Sequence, residues 1–295
     1  KVRGFDPYVF IDKDGQAYLY WSMGGIFCAK LKENMTEIDS DPVTLTDLPS
    51  KGMKEGPFLF ERNGIYYLTF PHVADKVTER LEYGMGTSPM GPFKMTGVIM
   101  DEHPSGCWTN HHSFINFKGQ WYLFYHHNDL SPNFDKNRSA RIDSMFFNED
   151  GTIQKVRPTL RGVGLTSAAK QIQLDRYSNI SENGTSIAFI DTTNRFGGWK
   201  TRLEAKDAWI KYNAVDFSAK KYKTLKVKAA SETGGNLELH LDKADGPLVA
   251  KITVPKSAAF TEVKAKVTAS LKGTQNLVLV QKENKPVEVD WVTFE

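Results

Sequence analysis

Three segments of this chain follow one plan: an apolar strand, a tight turn closed by glycine, and a second strand rich in aromatic residues. They are Asp6–Gly15 followed by Gln16–Trp21, Glu55–Gly64 followed by Ile65–Phe70, and His111–Gly119 followed by Gln120–Tyr125. Asp14-Gly15 and Asn63-Gly64 are hairpin signals, because glycine takes the positive φ that such turns demand. The glycines recur at 15, 64 and 119, about every fifty residues, which is the period of four-stranded propeller blades. Further strands are predicted at Ile26–Leu31, Tyr83–Thr87, Phe93–Ile99 and Ser139–Phe147, with Ser88–Pro92 as a turn-rich connection. Helical periodicity of useful length is missing, so the fold class is all-β.

Residues with chemistry occupy one position of the repeat. Asp6 and Glu55 each stand nine residues before their hairpin glycine, and His111 stands eight before its own. Innermost strands of a propeller surround its axis, so equivalent positions on successive blades converge. Each residue taken singly has a plainer reading. Asp before Pro is a turn former, Glu55 before Gly-Pro could be a loop acid, and His111-His112 beside Trp108 could be packed imidazoles. The matching offsets favour one shared site.

Composition excludes several classes. With 295 residues and 40% hydrophobic content the chain can bury two cores. A net charge of +3 is nearly balanced and lacks the clustered basic footprint of a nucleic-acid binder. There is no apolar run of membrane-spanning length and no signal peptide, and the first residue is Lys1, so the chain reads as a processed or trimmed product. Cys28 and Cys107 lack metal-like spacing and could pair or stay free. Aromatics at 12% suit both β-strands and the flat platforms of sugar sites.

At the repeat residues the sequence resembles glycoside hydrolase family 43, in the subgroup acting on arabinoxylan. The resemblance is carried by Asp6-Pro7 with Phe10–Trp21, Lys54–Pro57 with Arg62–Tyr67, Thr109–His111 with Phe117–Gly119, and Arg138-Ser139. It implies a five-bladed β-propeller and an inverting mechanism, with Glu55 as general acid and Asp6 tuning its pKa. By the same resemblance His111 helps hold a calcium ion or water at the channel centre, and Arg138 and Trp108 contact substrate. The family's general base lies on a blade upstream of the Asp6 segment. Asp12 and Asp14 sit in a hairpin turn and are poor substitutes. Residues 1–165 are therefore expected to form a partial propeller whose N-terminal part is absent from this chain, completed by a further segment or a separate chain. Alone it should hydrolyse nothing. The loop Asn128–Asn137, with Pro132 and Phe134, is expected to wall the pocket.

Between Arg161 and Lys170 the chain turns Gly/Ser/Ala-rich, like a linker. Beyond it Leu237, Leu239 and Leu241 alternate with Glu238, His240 and Asp242, and Val263, Ala265 and Val267 with Lys264 and Lys266. Such alternation marks sheets with one buried face, and eight or more short strands predict a β-sandwich over 170–295. This half resembles carbohydrate-binding module family 6, a jelly-roll sandwich, through Ile172–Tyr177, Ala208–Phe217 and Val289–Phe294. That resemblance implies a structural calcium on Gln173, Asp175 and Asp290. It also implies a sugar site at Phe189, Phe260 and Glu288, with Trp199 nearby.

The combined expectation is a glycosidase releasing arabinofuranosyl or xylosyl units from arabinoxylan. It would be secreted, periplasmic or at the cell surface, with calcium but no organic cofactor, and its partner would be plant cell-wall polysaccharide. The alternative is a non-catalytic glycan-binding protein built on a degenerate propeller.

Overall fold

The computed structural model describes residues 2–75, 77–103, 106–128, 138–194, 197–218 and 220–295. Beyond Asn128, the expected pocket-wall loop lies outside the described residues. Among these residues no α-helix occurs, and no helix is long and apolar enough to cross a membrane. The chain forms two compact units, Lys1–Pro158 and Thr159–Glu295.

The first unit holds three antiparallel sheets, each starting with the first strand of a repeat. Sheet one orders β1 (Phe5–Ile11), β2 (Ala17–Ser22), β3 (Ile26–Lys30) and β4 (Val43–Thr44). Sheet two orders β5 (Phe58–Arg62), β6 (Ile65–His72), β7 (Arg80–Gly86) and β8 (Phe93–Met100). Sheet three runs β11 (Ser139–Met145), β10 (Gln120–His127), β9 (His112–Phe117). These are blades of the propeller kind, joined in hairpins by the predicted turns. Asn63-Gly64 has φ of 55° and 81°, and Lys118-Gly119 has 52° and 84°, so both two-residue turns use positive φ twice.

Aromatic rings join the sheets. Tyr8 of β1 packs on Phe58 of β5 at 4.2 Å, and Phe10 meets Tyr66 edge-on at 6.0 Å. Phe60 of β5 meets Phe114 at 5.1 Å and Trp121 at 4.9 Å on the third sheet. Such pairs add about 0.5–1.5 kcal/mol each beyond the area they bury. These seven rings are thus engaged in packing between the sheets. Alternation turns the neighbouring residues the other way: Val9 and Ile11 on β1, Ile115 and Phe117 on β9 and Phe124 on β10 are exposed. Of these, Ile11 and Ile115 line a hollow of about 440 Å³ together with Phe58 and Phe60 of the middle sheet. Both cysteines are buried and not joined in a disulfide, and the Cys107 thiol donates to the Thr109 carbonyl at 3.1 Å.

The second unit is a sandwich of two six-stranded sheets. One orders β12 (Thr166–Ser167), β17 (Trp209–Asp216), β22 (Thr274–Gln281), β19 (Gly235–Leu241) and β20 (Leu248–Val254), with β14 (Asn179–Ile180) on β17. The other orders β15 (Thr185–Phe189), β16 (Trp199–Leu203), β23 (Val287–Phe294), β18 (Thr224–Ser231) and β21 (Ser257–Lys266), with β13 (Ile172–Gln173) on β23. Leu237, Leu239, Ala265 and Val267 fill its core with Phe217 and Phe294, as the alternation predicts.

Lys118 takes a left-handed conformation that disfavours a long L side chain and suits asparagine. Lys118→Asn should stabilise the first unit by about 0.5–1 kcal/mol. Denaturant unfolding checks this, and an unchanged or lowered midpoint contradicts the turn assignment.

Candidate active site

The repeat positions converge as the offsets predict. Asp6 lies on β1, Glu55 three residues before β5, and His111 just before β9, and their ligand-type atoms all lie within 4.8 Å of one another. Nε2 of His111 stands 3.3 Å from Oε1 of Glu55 and 3.7 Å from Oδ2 of Asp6. All three side chains are partly open, with 28%, 13% and 29% of the His111, Glu55 and Asp6 side chains exposed. A ligand from solvent can reach them.

Two backbone irregularities place these groups. Asp6 has φ 51°, a conformation aspartate tolerates, and β1 slips register against β2 between Phe5 and Tyr8. The bulge turns Asp6 toward the axis and leaves Tyr8 in the inter-sheet packing. Gly56 has φ 51°, and a Cβ there would lie 3.1 Å from Cε1 of His111. Glycine after Glu55 is thus needed twice: for its φ and because the imidazole fills its missing side chain. The adjacent His112 plays a different part. Thr69 Oγ1 lies 2.7 Å from its Nε2, and burial pushes its pKa down to about 3. Of the histidine pair, His111 is the site residue and His112 is the packed imidazole.

A fourth group stands behind the trio. Glu79 is 1% exposed, its Oε2 accepts the Asn110 backbone N–H at 2.6 Å, and its own N–H donates to the Trp108 carbonyl at 3.2 Å. Its Oε1 has no hydrogen-bond partner among the described residues, and the charge of Glu55 is near enough to act on it. Burial pushes Glu79 up to about 8, and the charge of Glu55 pushes the same way against the Asn110 amide. The Glu55 carboxyl is held below its ordinary range, first by the hydrogen bond with His111. His111 is raised in turn, first by that same bond. The imidazole of His111 lies close to both Asp6 and Glu55, and the carboxyl that burial raises is Glu79.

The remaining residues fall around this centre. Arg138 is exposed, yet its charge reaches Glu55 and His126 and lowers both. Trp108 is tied in through its carbonyl on Glu79. Asp14 accepts the Gln16 N–H at 2.9 Å and Asp12 accepts the Lys13 N–H at 2.8 Å, so both serve the turn, and Asp12 also accepts the Tyr66 hydroxyl of β6 at 2.7 Å.

In the second unit Gln173 pairs with Trp291 in the sheet, bringing Asp175 near Asp290. Asp175 is buried, its Oδ1 has no partner among the described residues, and burial raises it to about 6. Arg176 lies 3.2 Å from Asp175 and Lys228 lies 3.0 Å from Asp290. Elsewhere in this unit Phe189 stacks on Trp199 at 4.0 Å. Glu288 pairs with Lys200 at 2.8 Å and Arg202 at 3.5 Å, beside a cavity of about 320 Å³ that Glu288, Arg202, Ser231, Ser257 and Ala258 line. Phe260 follows on β21 and is half-buried.

The model of the family described as glycosyl hydrolases family 43 matches residues 1–153, the stretch containing all four groups. The chain belongs to that family. Residues 176–295 match the model for carbohydrate binding module family 6. Among relatives of this family 43 chain, an arabinoxylan arabinofuranohydrolase of Paenibacillus polymyxa is 28% identical over 94% of this chain and 48% of its own length. Another from Bacillus subtilis is 30% identical over 86% of this chain and 55% of its own length. The chain thus spans about half the length of these relatives. The crystal structure of a Bacillus subtilis family 43 arabinoxylan arabinofuranohydrolase in complex with cellotetraose is 25% identical. It covers 99% of this chain and 67% of that one, with a TM-score of 0.52.

Glu79 was missed at the sequence level, because it sits outside the repeat in a loop before β7. The only trace was an acid close before an apolar strand, which many solvated loops share. Its burial has a consequence for stability. A carboxyl raised from 4.5 to about 8 binds its proton more tightly when folded. The folded state is then favoured below about pH 4.5 and loses up to about 1.4 kcal/mol per pH unit toward about pH 8. Glu79→Gln keeps the shape without the charge, so the variant should gain on wild type as pH rises through that window. Urea unfolding across the window checks it, and parallel profiles contradict it.

Proposed function

We propose that this chain supplies the acid half of an inverting glycosidase centre. The centre would release arabinofuranosyl or xylosyl units from arabinoxylan-type polysaccharide, with a glycan-binding module attached. The convergence of Asp6, Glu55 and His111 at the heads of three blades carries this reading. Glu55 is the general acid. Its carboxyl is reachable from solvent and lies near Glu79, whose burial favours the protonated form at neutral pH. When a glycosidic oxygen displaces the His111 contact, Glu55 can carry that proton to the leaving group. Inversion also needs a carboxylate base on the opposite face of the sugar with room for one water. That base takes the water's proton as its oxygen bonds to the anomeric carbon.

Asp12 and Asp14 are committed to the turn, so the base is assigned to protein outside these 295 residues. The exposed apolar side chains of Val9 on the first sheet and of Phe117 and Phe124 on the third suit the seating of further blades. Asp6 and His111 are the donors that a cation or ordered water at the channel centre would use, and Arg138 and Trp108 are assigned to substrate. A polymeric substrate argues for work at or beyond the cell surface.

In the complete protein, Glu55→Gln should lower kcat by about 10²–10⁴-fold with the fold intact. Assay on arabinoxylan and aryl glycosides checks this. Failure of the complete wild-type protein to release either sugar would favour the non-catalytic reading, in which the propeller only docks glycan.

Calcium is proposed for the second unit. Two neighbouring carboxylates, the unpartnered Asp175 oxygen and the Gln173 amide form an oxygen set suited to a hard cation. A bound ion would tie β13 to β23 and offset the cost of burying Asp175. Calcium should raise the melting temperature of this unit, EDTA should reverse the gain, and Asp175→Asn should abolish the response. Equal calcium shifts in variant and wild type contradict the assignment.

A further inference from the structure

The second unit has a cavity that neither the family resemblance nor the proposed chemistry uses. It measures about 500 Å³ and lies between the connection from β17 to β18 and the connection from β21 to β22. Lys220, Lys221, Lys223 and Lys272 line it around Tyr222 and Leu271, and no acid is among the lining residues. Tyr222 packs edge-on against Phe294 at 6.0 Å, near the last residue of β23. Glu288 stands at the opposite end of that strand, about 20 Å away at 3.3 Å per residue. The cavity is therefore distinct from the expected sugar site at Phe189, Phe260 and Glu288.

Its charge is unbalanced. Among the described residues, no carboxylate lies within ion-pair distance of Lys221, Lys223 or Lys272. The nearby acids are engaged elsewhere: Glu295 pairs with Lys226 at 2.6 Å, and Asp216 accepts from the N–H and hydroxyl of Ser218. Lys220 places its ammonium 5.3 Å from the centroid of the Tyr222 ring, so charge and ring face the same ligand. Four ammonium groups around one hollow repel each other, and an anionic ligand relieves that repulsion. Phosphate or a nucleic-acid backbone would use the charges but not the apolar floor of Tyr222 and Leu271. A uronic acid presents both a carboxylate and the apolar face of a pyranose.

We propose that this cavity binds a uronic-acid-bearing polysaccharide, its carboxylates held by the lysines and a sugar ring seated on Tyr222. The binding needs no hydrolysis and stands or falls separately from the catalytic reading. Affinity electrophoresis of the whole chain through gels containing polygalacturonate tests it. The chain should be retarded, salt should weaken the retardation, and the carboxyl-reduced polymer should have no effect. Lys221→Ala/Lys223→Ala/Lys272→Ala should lose about tenfold or more in affinity. These lysines are exposed, so the variant should fold. Tyr222→Leu should weaken binding as well, while Lys285→Ala, an exposed lysine beyond the opposite end of β22, should leave it unchanged. Equal retardation of wild type and the triple variant would overturn the proposal. So would binding to DNA or dextran sulfate as tight as binding to polygalacturonate, which would mark a general polyanion surface.

Discussion

The first unit's cluster of Asp6, Glu55 and His111 depends on one close approach: the His111 ring lying 3.1 Å from where a Cβ on Gly56 would be. That contact brings the start of the third blade against the start of the second. It sets the imidazole within reach of both Glu55 and Asp6. Any other residue at 56 would force the ring away and adopt a φ that L side chains resist. The bulge at Asp6 is the matching device on the first blade. Behind these irregular strand starts the blades themselves are regular, held by aromatic pairs such as Tyr8 with Phe58 and Phe60 with Phe114. A rigid, ring-packed frame thus carries three short departures from strand geometry, and the chemistry sits on the departures.

Electrostatics at this centre follow from burial at Glu79 and from the His111 hydrogen bond at Glu55. His111 holds Glu55 charged, whereas Glu79, sealed beneath Asn110, keeps a proton into the neutral range. The two acids lie near each other with opposite preferences, the arrangement by which a site separates proton holding from proton delivery. Loss of the His111 bond would remove the main reason for Glu55 to stay ionised.

The blade plan was legible because hairpin glycines and alternating aromatics are local signals with a fixed period. Its equivalent positions then exposed Asp6, Glu55 and His111 without any knowledge of packing. Strand β4 was not legible: its two residues, Val43-Thr44, are exposed and have no alternation to read. Glu79 was hidden for a different reason, since only the folded chain shows that its loop is buried beneath Asn110. In the second unit the alternation at Leu237 and Leu239 located the core. The stacking of Trp199 on Phe189 depends on cross-strand register, which sequence spacing does not reveal. The lysine-lined cavity joins two connections nearly fifty residues apart, so no local pattern announces it.

The central claim is that Glu55 acts as an acid opposite a water-activating base, and the stereochemistry of the product tests it most directly. Proton NMR of the first sugar released by the complete protein should show the anomer inverted relative to the substrate. Release of the retained anomer would contradict the account, because it would require a covalent intermediate and a nucleophile where the account places a water.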